Sequence, residues 1–202
     1  LPVGASDDFA NALALQPDGK IVLAGSCSNG SNSDFCIARF DAEGTLDASF
    51  DGPAGTGNGK FLLPIGAGDD FANALALQPD GKIVIAGACN NVGYDFCVAR
   101  LNPDGTLDAT FDGPLGNGNG AFLLPIGSSA DQLNAVALQS DGKIVLAGHC
   151  SVLSGTAFCV ARLHPDGSLD TSFDGPSGAG NGRFVLPLIG TTNDTASALL
   201  IQ

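Results

Sequence analysis

The sequence predicts an all-β chain built from one four-stranded unit repeated in tandem. Three observations carry this. The stretch "LQPDGKIVLAG" from Leu15 returns as "LQPDGKIVIAG" from Leu77 and as "LQSDGKIVLAG" from Leu138. Apolar residues come in short runs of strand length, without the spacing of an amphipathic helix. Turn residues of the Pro-Asp-Gly kind punctuate those runs at fixed offsets. Gln16 recurs at Gln78 and Gln139, Arg39 at Arg100 and Arg162, and Phe50 at Phe111 and Phe173, always in steps of 61 or 62 residues. The units read as 5–66, 67–127 and 128–190, with the start of a further unit at 191–202.

The first strand of a unit is "FANALALQ", Phe9 to Gln16. Phe9, Asn11, Leu13 and Leu15 alternate with alanines, a period of two that places the large residues on one face. A helix would need more than the eight residues between "DD" and "PDG". The second strand is "KIVLAG" and the third "DFCIARF", both nearly continuous apolar runs that predict burial on both faces. The fourth is "KFLLPIG". Pro64, Pro125 and Pro187 stand at matching positions in it, and proline cannot donate to a ladder, so this strand belongs on an edge. "QPDGK" joins strands one and two, and "NPDGT" or "HPDGS" follows strand three. Proline sets φ at the second turn position and glycine supplies φ > 0 to close the turn.

Four antiparallel strands per unit, in tandem, describe the blades of a β-propeller, about three and a third of them. A β-solenoid has much shorter coils. The residues that define the unit, "LQPDGKIVLAG" followed by "DFCVARLNPDGTLDATF", resemble the delta-60 repeat of bacterial proteins over nearly the whole chain. That resemblance implies a propeller blade and a secreted or surface protein without an assigned activity. Two features depart from the pattern: a Gly-rich insert, "FDGPLGNGNGAF" in the second unit, and the cysteine pairs.

With 202 residues and 44% apolar content, the chain can bury a substantial core. The 29 Gly and 11 Pro are spread among apolar runs, as in a turn-rich β protein. No run of 18 apolar residues exists, which excludes a membrane-spanning helix. A formal charge of −13 argues against nucleic acid and anionic membranes as partners. The chain contains no Met, which leads us to expect a processed product or a piece of something longer. Three and a third blades are too few for a closed ring. The expected partners are therefore further blades of the same longer chain, or identical subunits.

Six cysteines fall as Cys27/Cys36, Cys89/Cys97 and Cys150/Cys159, one pair per unit. If each pair faces across the hairpin, Gly25 opposes Ala38 and Leu23 opposes Phe40, and equivalent small and large pairs follow in the other units. Such neighbours suit a disulfide. The spacing is not C-x-x-C and no shared His accompanies it, so zinc and redox chemistry fit poorly. Three structural disulfides imply an oxidising compartment: extracellular, cell surface or periplasm.

All eight basic residues lie on three repeated positions. The hairpin register predicts cross-strand ion pairs of Lys20 with Glu43, Lys82 with Asp104 and Lys143 with Asp166. Arg39, Arg100 and Arg162 sit in apolar strands and need carboxylates there. Asp47, Asp108 and Asp170, or Asp51, Asp112 and Asp174, are the two candidate sets. Charges repeated in every unit read as structural, because a propeller's active site is built from loops that differ between blades. His149 and His164 occur only in the third unit, read as surface or loop residues, and make no triad. The acidic pairs Asp7–Asp8 and Asp69–Asp70 read as turn residues.

The Gly-rich insert is the remaining candidate. Asp51 with Asn58, Asp112 with Asn119, and Asp174 with Asn181 offer oxygen ligands that Ca²⁺ accepts, though without the pattern of a known calcium loop. The expectation from the sequence is an exported structural or recognition propeller, without a cofactor and without catalysis. Two alternatives are a calcium-dependent glycan- or protein-binding propeller, and the propeller part of a hydrolase or lyase whose catalytic loops lie elsewhere.

Overall fold

The computed structural model describes residues 2–55, 58–116, 119–153, 155–176, 178, 181–186 and 193–200. They form three four-stranded antiparallel sheets, and within each sheet the strands pair in sequence order. Blade 1 comprises β1 (Asp8–Leu15), β2 (Ile21–Ser28), β3 (Ser33–Phe40) and β4 (Lys60–Leu63). Blade 2 comprises β5 (Asp70–Leu77), β6 (Ile83–Asn90), β7 (Tyr94–Leu101) and β8 (Ala121–Leu124). Blade 3 comprises β9 (Asp131–Leu138), β10 (Ile144–Val152), β11 (Gly155–Leu163) and β12 (Arg183–Val185).

The blades pack face to face, and two apolar layers result. Val22, Phe35, Ile37 and Phe50 of blade 1 meet Ile83, Ile85 and Leu101 of blade 2. Val84, Phe96, Val98 and Phe111 of blade 2 meet Ile144, Leu146 and Leu163 of blade 3. Blade 2 is covered on both sides, which is why β6 is buried without a break from Ile83 to Cys89. The first strands stand side by side, β1 against β5 and β5 against β9.

The turns follow their residues. Gln16 N–H donates to Lys20 O (2.8 Å) and Gly19 N–H to Gln16 O (2.9 Å), with Gly19 at φ 85°. Only glycine adopts that conformation cheaply, and it closes the hairpin as an extra residue on one strand. The fourth strand stops at the residue before proline: β4 ends at Leu63 and β8 at Leu124. It is shorter than the "KFLLPIG" reading and lies at the sheet edge. Pro187 lies outside the described residues.

Two sequence expectations are corrected. The first strand does not alternate cleanly, because a bulge at Asn11 shifts the register between Ala10 and Ala12. Phe9 pairs with Ser26 and Leu13 with Leu23, positions on opposite faces of β2, so Phe9 and Leu13 do not share a face. The bulge drives a carbonyl onto the neighbouring strand, and a Cβ at Gly25 would stand 1.8 Å from Phe9 O. Gly87 and Gly148 meet the equivalent carbonyls at 1.8 and 1.9 Å.

The cysteine hairpins are also two residues out of the expected register. Cys27 faces Asp34 and Cys36 faces Gly25. Cys89 faces Asp95 and Cys97 faces Gly87. Cys150 faces Ala157 and Cys159 faces Gly148. A slip of two keeps every side chain on its face, so the bonds form between diagonal neighbours. Cys27–Cys36, Cys89–Cys97 and Cys150–Cys159 are closed, with Cα atoms 5.6, 5.8 and 5.7 Å apart. The physical reason lies at the loop. The chain adds a further strand pair, Ser28 with Ser33, and turns within the four residues between them.

Candidate functional site

The groups richest in chemistry form one cluster per blade, at the junction with the next. Arg39 on β3 donates from Nε to Asp47 Oδ2 (2.8 Å), and Lys20 Nζ reaches the same oxygen at 3.1 Å. The Ser49 hydroxyl and N–H bond Asp47 Oδ1 at 2.6 and 3.0 Å. The guanidinium lies over the Phe50 ring, with Cζ 4.4 Å from its centroid. Blade 2 repeats the arrangement with Arg100, Asp108, Lys82, Thr110 and Phe111, and blade 3 with Arg162, Asp170, Lys143, Ser172 and Phe173.

This settles the arginine partners as Asp47, Asp108 and Asp170, and it corrects the lysines. Lys20, Lys82 and Lys143 do not pair with Glu43, Asp104 and Asp166. They reach the arginine's carboxylate, and also Asp18, Asp80 and Asp141 of their own turns at 3.4 to 3.6 Å. The chain after strand three folds back, with Asp47 N–H donating to Arg39 O (2.9 Å), and so carries the aspartate to the lysine.

The cluster also ties blades together. Arg39 donates from Nη1 to Pro103 O in the turn of blade 2, and Arg100 to Pro165 O in blade 3. Beside these, Asp51 N–H donates to Asp104 O (2.7 Å) and Asp112 N–H to Asp166 O (2.8 Å). Asp51 and Asp112 thus serve through their main chain.

Electrostatics follow from this packing. Burial pushes the Asp108 carboxyl upward, but the Thr110 hydroxyl and N–H, Lys82 and Arg100 outweigh it and hold the pKa at about 2. At Asp47 too burial pushes upward, and the Ser49 bonds, Lys20 and Arg39 outweigh it and hold the carboxyl well below the usual carboxylate range. Asp170 is lowered chiefly by the Ser172 hydroxyl. These carboxylates are held ionised, the reverse of what proton transfer near neutral pH needs.

Two repeated groups have roles that differ from the sequence expectation. The asparagine is more than an alternating strand residue, and Asp8 and Asp70 are the first residues of β1 and β5, not turn residues. The bulge asparagine of each first strand donates across the junction: Asn11 to Ala72 O (3.0 Å), Asn73 to Leu133 O (2.8 Å) and Asn134 to Ala196 O (2.8 Å). Its recurrence amid Ala and Leu was the available signal. The aspartate opening each first strand clamps the tail of the preceding unit. Asp8 accepts from Val3 and Gly4, Asp70 from Ile65 and Gly66, and Asp131 from Ile126 and Gly127. Burial raises the Asp70 and Asp131 pKa values despite these bonds. The remaining basic residues, Lys60 and Arg183, donate to Pro2 O and Pro125 O at the same kind of tail.

The other candidates do not converge. Asn58, Asn119 and Asn181 each turn Oδ1 back to an N–H two residues on, of Lys60, Ala121 and Arg183. Asp174 lies in the equivalent loop, and residues 56–57, 117–118, 177 and 179–180 of the inserts lie outside the described residues. Among the described residues no three His, Cys, Asp or Glu gather as a metal site. His149 is a strand residue on β10, not a loop residue, and its Nδ1 lies 3.4 Å from Asn134 Nδ2. Burial lowers its pKa. His164 opens the blade 3 turn, with Nε2 3.7 Å from Asp170 Oδ1.

Strand order, turn chemistry and repeated junctions define the class as a β-propeller blade repeat. A family model described as a β-propeller domain of unknown function (DUF5122) matches residues 16–50, 78–111 and 139–173, one stretch per blade. These stretches cover just over half of the chain, and the chain belongs to that family. No curated protein matches it.

Proposed function

We propose that this chain is an exported, non-catalytic propeller module, structural or recognition in role, within a larger extracellular, surface or filamentous assembly. One observation carries the reading. All eight basic side chains are bonded within the fold, six to blade carboxylates and two to a preceding tail. Cations engaged in this way are occupied in holding blades, with none set apart for a reacting group. One disulfide per blade and the resemblance to delta-60 repeats support export.

The test is production of the chain in an oxidising and in a reducing compartment, with thiol counts and melting curves. Each bridge closes a loop of 8 or 9 residues, and a loop of that size is worth about 2.5–3 kcal/mol. The oxidised form is expected to melt well above the reduced one. An equally heat-stable chain with six free thiols would overturn export. Hydrolase or lyase turnover that falls with His149→Ala would overturn the non-catalytic reading.

A further inference from the structure

The units are nearly the same from the bulge asparagine to the strand glycine: Asn11 to Gly25, Asn73 to Gly87 and Asn134 to Gly148. They part company at the hairpin between second and third strands, which is Ser28–Ser33 in blade 1, Asn90–Tyr94 in blade 2 and Ser151–Thr156 in blade 3. Chemistry that one blade has and its neighbours lack is therefore concentrated at this end of the sheets.

In blade 2 the hairpin rejoins the sheet at Tyr94, whose ring packs against Phe71 on β5 with centroids 5.9 Å apart. Blade 1 has the equivalent phenylalanine, Phe9, but Ser33 in the place of the tyrosine. Phe9 is 61% exposed. It forms one wall of a groove of about 350 Å³, whose other walls include Ser28, Asn32 and Ser33 of the hairpin, Asp7, and Asp69 of blade 2. A groove of that size admits a side chain. Blade 3 has Gln132 and Thr156 at the two positions, and so neither ring.

The groove belongs to the completed junction of blades 1 and 2. Phe9 pairs with Ser26 and Ser26 with Phe35, which sets Phe9 on the face turned to blade 2. The ring that covers Phe71 comes from the hairpin of its own blade, although blades stand on both sides of it.

The charged walls are carboxylates. Asp69 is held in place, since its Oδ1 accepts from Ser33 N–H (2.8 Å) and Asn32 Nδ2 donates to Gly68 O beside it. All eight basic side chains are bonded elsewhere in the fold. The interior shows what a phenylalanine ring beside an aspartate holds. Arg39 lies over Phe50 at 4.4 Å and bonds Asp47, and the other blades repeat the set. The groove offers the ring and the carboxylate of that set to a guanidinium from outside.

We propose that the groove between Phe9 and Asp69 binds an arginine side chain of a partner protein, its guanidinium lying over the Phe9 ring and donating to the Asp69 carboxylate. A planar guanidinium stacks and forks, where an ammonium is only a point charge. The net charge of −13 draws a basic partner toward the site. Such a ligand belongs to the recognition role proposed above and rests on that reading, while export does not bear on it. Absence of binding would strike the ligand and leave the structural role, which thiol counts and melting curves decide.

Amide NMR of the isotope-labelled, disulfide-bonded chain, titrated with a capped glycyl-arginyl-glycine peptide, tests this. Shifts at Phe9, Ser33 and Asp69 that saturate within about 10 mM are expected. The citrulline peptide, of the same shape without the charge, should bind at least about tenfold more weakly. Asp69→Asn keeps an oxygen for Ser33 N–H and should weaken the arginine peptide by the same factor. Ser33→Tyr fills the groove as Tyr94 does in blade 2 and keeps the main-chain bond to Asp69, so it should melt no lower than wild type and bind no peptide. Should Ser33→Tyr melt lower, Asp69→Asn decides. Equal binding of the citrulline peptide, of a lysine peptide or of a free polyamine overturns the proposal. So does binding indifferent to these substitutions, saturation of the same amides by a neutral oligosaccharide instead, or no saturable shift.

Discussion

Replacing Arg100 with alanine removes the guanidinium from a site where it and Asp108 each retain only 5% side-chain exposure. Breaking such a buried pair costs about 3–5 kcal/mol, mostly from the stranded carboxylate. Here Lys82 still reaches Asp108 Oδ2 at 3.1 Å, and Thr110 still bonds Oδ1 at 2.7 Å. The low end applies, about 3 kcal/mol. For a chain of this length that lowers Tm by about 6–12 °C. Arg162→Ala is the internal comparison. Its side chain is 18% exposed, and it bonds no turn carbonyl among the described residues, so its cost is about 1–2 kcal/mol. Circular dichroism melts at pH 7 and low protein concentration measure both. The pH dependence has a definite sign. Asp108 is depressed from 3.8 to about 2 in the folded state. Its stabilisation, about 2 kcal/mol, is therefore present above about pH 4 and lost as pH falls toward 2. The gap between wild type and Arg100→Ala should close over that window. A melting temperature for Arg100→Ala within about 1 °C of wild type, or a larger loss for Arg162→Ala, refutes the reasoning.

Asp131→Asn keeps an oxygen for the Ile126 and Gly127 N–H groups but removes a buried charge. Because burial raises the folded pKa, the group costs stability at neutral pH; that cost shrinks as pH falls through the folded pKa and is gone below the unfolded value of 3.8. The variant should equal or exceed wild type at pH 7, with the difference fading in acid; a loss of several degrees at pH 7 contradicts this. Gly87→Ala sets a Cβ 1.8 Å from the Phe71 carbonyl, backbone that cannot swing aside, and should cost about 3 kcal/mol or more. Gly93→Ala, with nothing within 4 Å, is its neutral control, and parallel melts that fail to separate the two discard the bulge argument. Asn73→Ala leaves the Leu133 carbonyl without its donor and should cost about 1–2 kcal/mol by urea unfolding. An unchanged urea midpoint would remove Asn73 from the blade junction.

Strand identity, turn positions and one disulfide per unit were legible in the sequence because each is local. Pro-Asp-Gly sets its own turn, alternation and apolar runs set the strands, and two cysteines eight or nine residues apart meet across one hairpin. The candidate site was legible only in part. Arg39, Arg100 and Arg162 stood out as charges in apolar strands, but each unit offers several aspartates at equivalent positions. Repetition cannot choose among partners that repeat together, and the hairpin register alone points the lysines to Glu43, Asp104 and Asp166.

By itself the sequence determined the repeat, the four-stranded unit and the edge position of the proline-bearing strand, since backbone chemistry and side-chain period act over a few residues. Only the tertiary structure decided how units join. Arg39 meets the Pro103 carbonyl 64 residues away, and Asn11 meets Ala72 61 residues away. These bonds end on main-chain carbonyls, which every residue possesses and no sequence pattern marks. The bulge at Asn11 likewise arises where a strand must serve its own sheet and the next blade at once, and it displaced the faces that simple alternation assigned.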